Sequence, residues 1–313
     1  MIAIHSTTSV AIPSPQESQA GFTLIELIVS MVTLLVISGT VTAALMQITN
    51  AELTLWNRTQ MHSGVRSATE LLQQEVGQAG RVALPAAATL TGGVAPGSSP
   101  GGVSDVAGMF VGEQLVVGTG ASEETVTVTA VDEGGSQVTA AFTLAHAGGE
   151  PVAVRGGFSS GVVPTTTANG STAGVLKLFG DVNGDNTMVY VEYTCDTVNG
   201  FLYRNSMAYD ADVKPALGPA LVLLDNLRAN PGGTPCFTYQ EEVVGASTYV
   251  IDVAITLTVQ TQKVDPFTKQ FELQTKALLN VAPRNIFNVW QLASAGVSNR
   301  IQPTPASVVA LLP

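Results

Sequence analysis

The stretch "DVNGDNTMVYVE", Asp181 to Glu192, sets oxygen-bearing side chains at alternate positions: Asp181, Asn183 and Asp185, with Glu192 at the twelfth. Carboxylates and amides spaced this way converge on one hard cation when the backbone turns sharply, so the spacing predicts a calcium loop. The pattern departs at Asn186, where such loops place glycine in a left-handed turn that asparagine adopts less easily. The following "MVYVEYT" has the character of a strand, which excludes an EF-hand. A polar hairpin loop with Asn183-Gly184 at its tip is the competing reading.

Nucleophilic and redox chemistry find less support. "GFSSG", Gly157 to Gly161, fits G-x-S-x-G, but that motif needs a strand before it, a helix after it and a histidine later in the chain, and no histidine follows Ser159. Ser159 reads more simply as a turn residue. His5, His62 and His146 are scattered, and neither Cys195 nor Cys236 sits in a C-x-x-C pair, so zinc is a poor reading. In an oxidising compartment the two cysteines would form a disulfide, closing a loop of about 40 residues for roughly 4 kcal/mol; two unrelated buried thiols are the alternative. Trp56, Trp290 and the tyrosines form no periodic ladder that would stack a sugar. No nucleophile, base or metal cluster assembles, and an enzyme is not expected.

The chain has 313 residues, 45% of them hydrophobic and 12% charged, enough for one or two domains with a substantial core. Abundant Gly, Thr and Val point to β-structure with frequent turns. The net charge of −11 leaves no basic stripe, so nucleic acid is not an expected partner.

One more residue type stands in an unusual place. From Leu24 to Met46 every residue is apolar or small and hydroxylated except Glu26. About 23 residues at 1.5 Å rise reach roughly 34 Å, enough to cross the hydrocarbon core of a bilayer. The run is longer than the apolar region of a signal peptide, and no Lys or Arg flanks its N-terminal side. An ionised carboxylate there needs a partner, and no basic residue lies within two helical turns.

"GFTLIELIVSMVTLLVISG" resembles the N-terminal signature of type IV prepilins and type II secretion pseudopilins. The resemblance covers about 25 residues. It implies that a prepilin peptidase cuts after Gly21 and that the new N-terminal amine, on Phe22, is methylated. Glu26 then takes the place of the family's fifth-position glutamate, whose partner is the Phe22 amine of the same or a neighbouring subunit. Two opposite charges meeting in a low-dielectric place relieve each other where each alone would be expensive. Residues 1–21 would be the leader. It departs from the family in having no Lys or Arg and one acid, Glu17, so a positive-inside contribution to orientation is missing. The implied partners are the peptidase, other pilin or pseudopilin subunits and the inner membrane, with the head outside the cytoplasm. Since the family's tip pseudopilin lacks this glutamate, the chain is expected below the outermost position of a fibre.

The elements that would position these residues follow from periodicity. No proline falls between Phe22 and Leu84, and Leu53, Trp56, Met61, Val65, Ala68, Leu72, Val76 and Ala79 recur at three- to five-residue steps. Gly77 and Gly80 mark the end of one helix of almost 60 residues, a membrane-crossing part over 22–48 and an amphipathic part over 49–84. A Gly/Pro/Ser-rich loop follows Pro85. Runs such as "EETVTVTAV", "GVLKLF", "TMVYVEYTCD", "YVIDVAITLTVQT" and "KQFELQTKALLNVAP" then alternate as strands over 85–287, with a hairpin turn at Asn199-Gly200 and another turn at Asp265-Pro266. "VEYTCD…NGFLYRN" and "LLNVAPRNIF" also resemble the larger minor pilins of the PilW type and J-type pseudopilins. Residues 288–313 read as a tail with a short helix. The expected fold is α+β, a long N-terminal helix packed on a β-rich head. The expected function is a structural subunit of a type IV pilus or a type II secretion pseudopilus. The alternative is a membrane-anchored binding protein or adhesin that uses a pilin-like signal only for delivery.

Overall fold

A computed structural model describes residues 21–211, 213–214 and 220–310. The leader expected ahead of Gly21 lies outside the described residues. The chain divides into two compact units, one ending at Leu53 and one beginning at Thr54.

Helix α1, Leu24–Gln78, contributes to both. In the first unit it is the one helix among the described residues that is long and apolar enough to cross a membrane. Its Leu, Ile, Val and Met side chains from Leu24 to Ile48 are all exposed. Several of its hydroxyls bond within the helix: Ser30 Oγ donates to the Glu26 carbonyl at 2.6 Å, and Thr33, Thr42 and Thr49 donate to carbonyls four residues back. Such back-bonding pairs those hydroxyls inside the helix, as hydrocarbon requires of polar groups.

The second unit is β-rich. Strands β1 (Ala88–Thr89), β2 (Gly97–Gly102), β3 (Gln114–Val117), β4 (Glu124–Asp132), β5 (Gln137–Phe142) and β6 (Pro151–Val154) form a sheet of order β1-β6-β3-β4-β5-β2. After the short β7 (Gly157–Phe158), a second sheet is built from β8 (Val175–Gly180), β9 (Val189–Asp196), β10 (Phe201–Ala208) and β11 (Leu221–Leu224). A third contains β12 (Leu227–Arg228), β13 (Phe237–Val244), β14 (Ser247–Gln260) and β15 (Leu273–Val281). Pairing within these three sheets is antiparallel. Helix α2 (Arg284–Ser294), β16 (Ile301–Gln302), which pairs parallel with β7, and α3 (Ala306–Val309) complete the described chain.

The apolar stripe of α1 explains how this unit holds together. Met61, Val65, Ala68, Leu72 and Val76 are buried in one core with Leu176 and Leu178 of β8, Val191 and Tyr193 of β9, Leu202 of β10, and Val253, Ile255 and Leu257 of β14. Each Val, Leu, Ile or Met side chain among them contributes roughly 1.5–3 kcal/mol on leaving water. The expected stripe began earlier, at Leu53 and Trp56, but both are exposed, at 39% and 69%. The step from Trp56 to Met61 is five residues, about 140° off the face on a helix of 3.6 residues per turn, so Trp56 points elsewhere.

Gly80 ends the helical run with a left-handed φ of 75°. Its N–H donates to the Phe179 carbonyl at 2.8 Å, and a Cβ on Gly161 would lie 2.2 Å from the Gly80 nitrogen. Main chain meets main chain there, leaving no room for a side chain at position 161.

The C-terminal segment is part of the fold. Helix α2 runs across the expected boundary at 287/288 and buries Ile286 and Val289 in the α1 core, while Val308 of α3 enters an aromatic core with Phe158, Phe179 and Tyr190. Gln302, fully buried, accepts from the Gln114 N–H at 2.9 Å and donates to the Gly156 carbonyl at 2.8 Å.

Candidate functional site

The residues around Gly21 and Glu26 sit at the helix start. Thr23 precedes the first helical residue. Its N–H and its hydroxyl donate to Glu26 Oε2 at 3.0 and 2.9 Å, and the Glu26 N–H donates back to Thr23 Oγ1 at 3.3 Å. This is a capping box: two orphan donors of the first turn are satisfied reciprocally. Gly21 is exposed and Phe22 is 87% exposed, so the peptide bond proposed for cleavage lies at an open end of α1. The Thr-x-x-Glu spacing was present in the sequence as a cap signal, and it adds a local partner for Glu26 that the charge argument left out.

The predicted calcium ligands are only partly brought together. Asp181 and Asp185 share one turn: Asp181 Oδ1 accepts from the Asp185 N–H at 2.9 Å, and Asp185 Oδ1 accepts from the Thr187 N–H at 2.9 Å. Gly184 and Asn186 take the left-handed conformation, at φ 73° and 65°. Asn183 is exposed. The buried Asp181 Oδ2 lies 3.6 Å from Arg81 Nη1 and accepts no hydrogen bond, so a guanidinium supplies its nearest positive charge. Glu192 is buried in β9, accepts from the Tyr190 hydroxyl at 2.5 Å and lies 3.8 Å from Lys177 Nζ. Its strand position commits it to a different set of partners from the Asp181 turn. No group of three His, Cys, Asp or Glu gathers to hold a metal among the described residues.

Cys195 and Cys236 are joined as a disulfide, with Cα atoms 6.4 Å apart, linking the end of β9 to the residue before β13. Ser159 lies in a turn after β7, and its N–H donates to the Gln302 carbonyl.

Two ionisable clusters and one lone buried acid in the second unit were not legible in the sequence. The buried His146 ring contacts Glu150 Oε2 through Nδ1 and Glu124 Oε1 through Nε2, each at 2.7 Å. Burial pulls the imidazole pKa down, but the Glu150 and Glu124 bonds outweigh it and the net shift is upward. For Glu124, burial pushes up, yet hydrogen bonds from Thr143, His146 and Leu144 take it to about 2. Glu113, with no exposed surface, is raised to about 8 by burial, against a single 3.4 Å bond from the Phe110 N–H. Glu75 of α1 is held by Tyr193 and Arg204, from β9 and β10. The His146 and Glu75 clusters join residues from distant parts of the chain, and Glu113 is perturbed by burial, so no local spacing announces them.

No protein-family model, no curated protein and no solved structure matches the chain.

Proposed function

We propose that the chain is a minor pilin or pseudopilin, a structural and assembly subunit of a type IV pilus or a type II secretion pseudopilus. The observation that carries the reading is Glu26, the one charge in the run from Leu24 to Met46, standing five positions after Gly21. A prepilin peptidase would remove the leader between Gly21 and Phe22, and the Phe22 amine would be methylated. The helix would first lie in the inner membrane with the head outside the cytoplasm, then leave it beside other subunits. Moving from lipid to a protein core gains little hydrophobic energy, because both surroundings are apolar. A charge pair between Glu26 and a neighbouring Phe22 amine supplies the missing selection of position, since a misregistered subunit leaves two charges unpaired. The Cys195–Cys236 disulfide supports a head in an oxidising compartment.

The capping box favours a second reading. If Thr23 and Glu26 serve only to start a helix, the chain is an anchored binding protein or adhesin and Glu26 has no role in a fibre. Two substitutions separate the readings. Glu26→Gln keeps a capping side chain and removes the charge; Thr23→Ala removes the hydroxyl, at about 1 kcal/mol of helix stability, and keeps the charge. A pilin-like subunit bearing Glu26→Gln should be cleaved and membrane-bound, yet absent from sheared fibres, while Thr23→Ala still enters them. Entry of Glu26→Gln at wild-type levels would favour the anchored protein. Mass spectrometry of the mature N-terminus should find methylated Phe22; an intact leader contradicts the whole reading.

A further inference from the structure

The hairpin joining β14 to β15 reaches along α1 toward its N-terminal end. Four neighbourhoods fix that direction within the second unit. Asn280 and Val281, late in β15, line a groove with Gln74 and Gln78, while Gln274 and Lys276 line one with His62 and Arg66. Glu272 then pairs with Arg58, at 2.6 Å to Nε and 2.5 Å to Nη2. Finally Asp265 Oδ2 accepts from the Thr54 hydroxyl at 2.5 Å. The tip is ordered: Asp265 Oδ1 accepts from the N–H groups of Phe267 and Thr268 at 2.9 and 2.7 Å. Thr54 and Arg58 are one helical turn apart, so the tip is held at the level of Trp56.

The tip points apolar side chains into solvent. Phe267 is 57% exposed, and Phe271 and Val264 are also exposed. Among the described residues these are the only exposed phenylalanines of the second unit, and Trp56, on another face of α1 at the same level, is the only exposed tryptophan. Lys263 and Lys269 flank the tip with no ion-pair partner among the described residues, in a chain whose net charge is −11. Exposed aromatics beside lysines fit an interface that is apolar a few ångströms deep and anionic at its surface. Covalent linkage supplies the proximity. Trp56 follows Met46 by ten residues, so it lies within about 35 Å of the end of the apolar run however the chain bends, and about 15 Å if helical.

We infer that the β14–β15 tip is a lipid-binding loop: Val264, Phe267 and Phe271 enter the headgroup boundary of an anionic bilayer, Lys263 and Lys269 meet its phosphates, and Trp56 sits in the same interfacial layer. This rests on the reading that the run from Leu24 to Met46 crosses a membrane. Such a contact orients the second unit on the bilayer and must be released before the helix can leave lipid.

The test uses the full chain in nanodiscs containing phosphatidylglycerol, with or without bromine on the acyl chains, in a Trp56→Phe, Trp290→Phe background. Leu34→Trp reports the helix, and Phe267→Trp reports the tip. Both should lose fluorescence in brominated discs. The tip signal should recover when Lys263→Glu, Lys269→Glu and Phe271→Ser are added, while the Leu34→Trp signal stays quenched. Quenching of Leu34→Trp without quenching of Phe267→Trp overturns the lipid contact and leaves the membrane reading intact. Quenching of neither overturns both. A Phe267→Trp signal untouched by bromine but shifted to shorter wavelength as chains per disc increase assigns the tip to a second copy instead, and the proposal fails.

Discussion

Arg204 of β10 grips the Glu75 carboxylate of α1 side-on, with Nη2 at 2.7 Å and Nε at 3.0 and 3.1 Å, while the Tyr193 hydroxyl donates to the same carboxylate at 2.6 Å. Glu75 is 4% exposed, so its charge has been taken from water and answered by a planar cation and a phenol. Arg204→Met should therefore destabilise the protein by about 3–5 kcal/mol, because it strands a buried carboxylate. Adding Glu75→Leu should recover much of that loss. Urea unfolding of the two single variants and the double variant measures the coupling, and additive losses would mean the pair does not act as one unit.

Glu113 should make the protein less stable as pH rises. Its folded pKa of about 8 lies above the ordinary 4.5, so between these values the folded state holds a proton that the unfolded state has released. Stability from this group therefore falls from pH 4.5 to 8. Glu113→Gln keeps the shape without the ionisation and should raise the melting temperature at pH 7 while leaving it nearly unchanged at pH 4. A melting curve with the same pH slope in both proteins would place Glu113 outside this account.

His146 works in the opposite direction. Its raised pKa contributes stability that is complete below the ordinary 6.5 and is lost as pH rises through the folded value. Glu124, lowered to about 2, contributes above 4.5 and loses that contribution as pH falls toward 2. The cluster should hold best between 4.5 and 6.5. His146→Gln should lose most stability inside this window and flatten the alkaline decline, as read by unfolding across a pH series.

The disulfide spans 41 residues of sequence, from β9 across β10, β11 and β12 to the start of β13. Cys195→Ser with Cys236→Ser should lower stability by about 2–4 kcal/mol, with the native strands retained. Non-reducing peptide mapping of exported protein should show the link, and two free thiols there would contradict it.

What the sequence revealed depended on how local the signal was. The long helix, the β9–β10 hairpin at Asn199-Gly200 and the alternating strands β8 and β14 carry their pattern within themselves. Strand β2 was hidden as a loop: "GSSPGG" is all turn residues, and it forms a strand only because β5 offers a full row of partners from Gly97↔Phe142 to Gly102↔Gln137. Pro100 is tolerated because β2 is the edge of its sheet. Strand β13 was missed because Gln240, Glu241 and Glu242 interrupt its alternation, where the register with β14 also shifts. At the helix start, Gly21, Phe22 and Glu26 were legible as a linear motif. The buried acids Glu75 and Glu113 were not, since burial depends on what the whole chain lays over them.

The segment from Asp265 through β15 and the second half of α1 run side by side in the same direction, held at Thr54–Asp265 and Arg58–Glu272, with Asn285 Nδ2 donating to the Gln78 carbonyl at the helix end. A tensile load applied along α1 therefore reaches these contacts together, in shear, instead of peeling them apart one by one. Force entering through the helix is spread over its length before it arrives at the glycine junction of Gly80 and Gly161, where the chain has no side chains to give way.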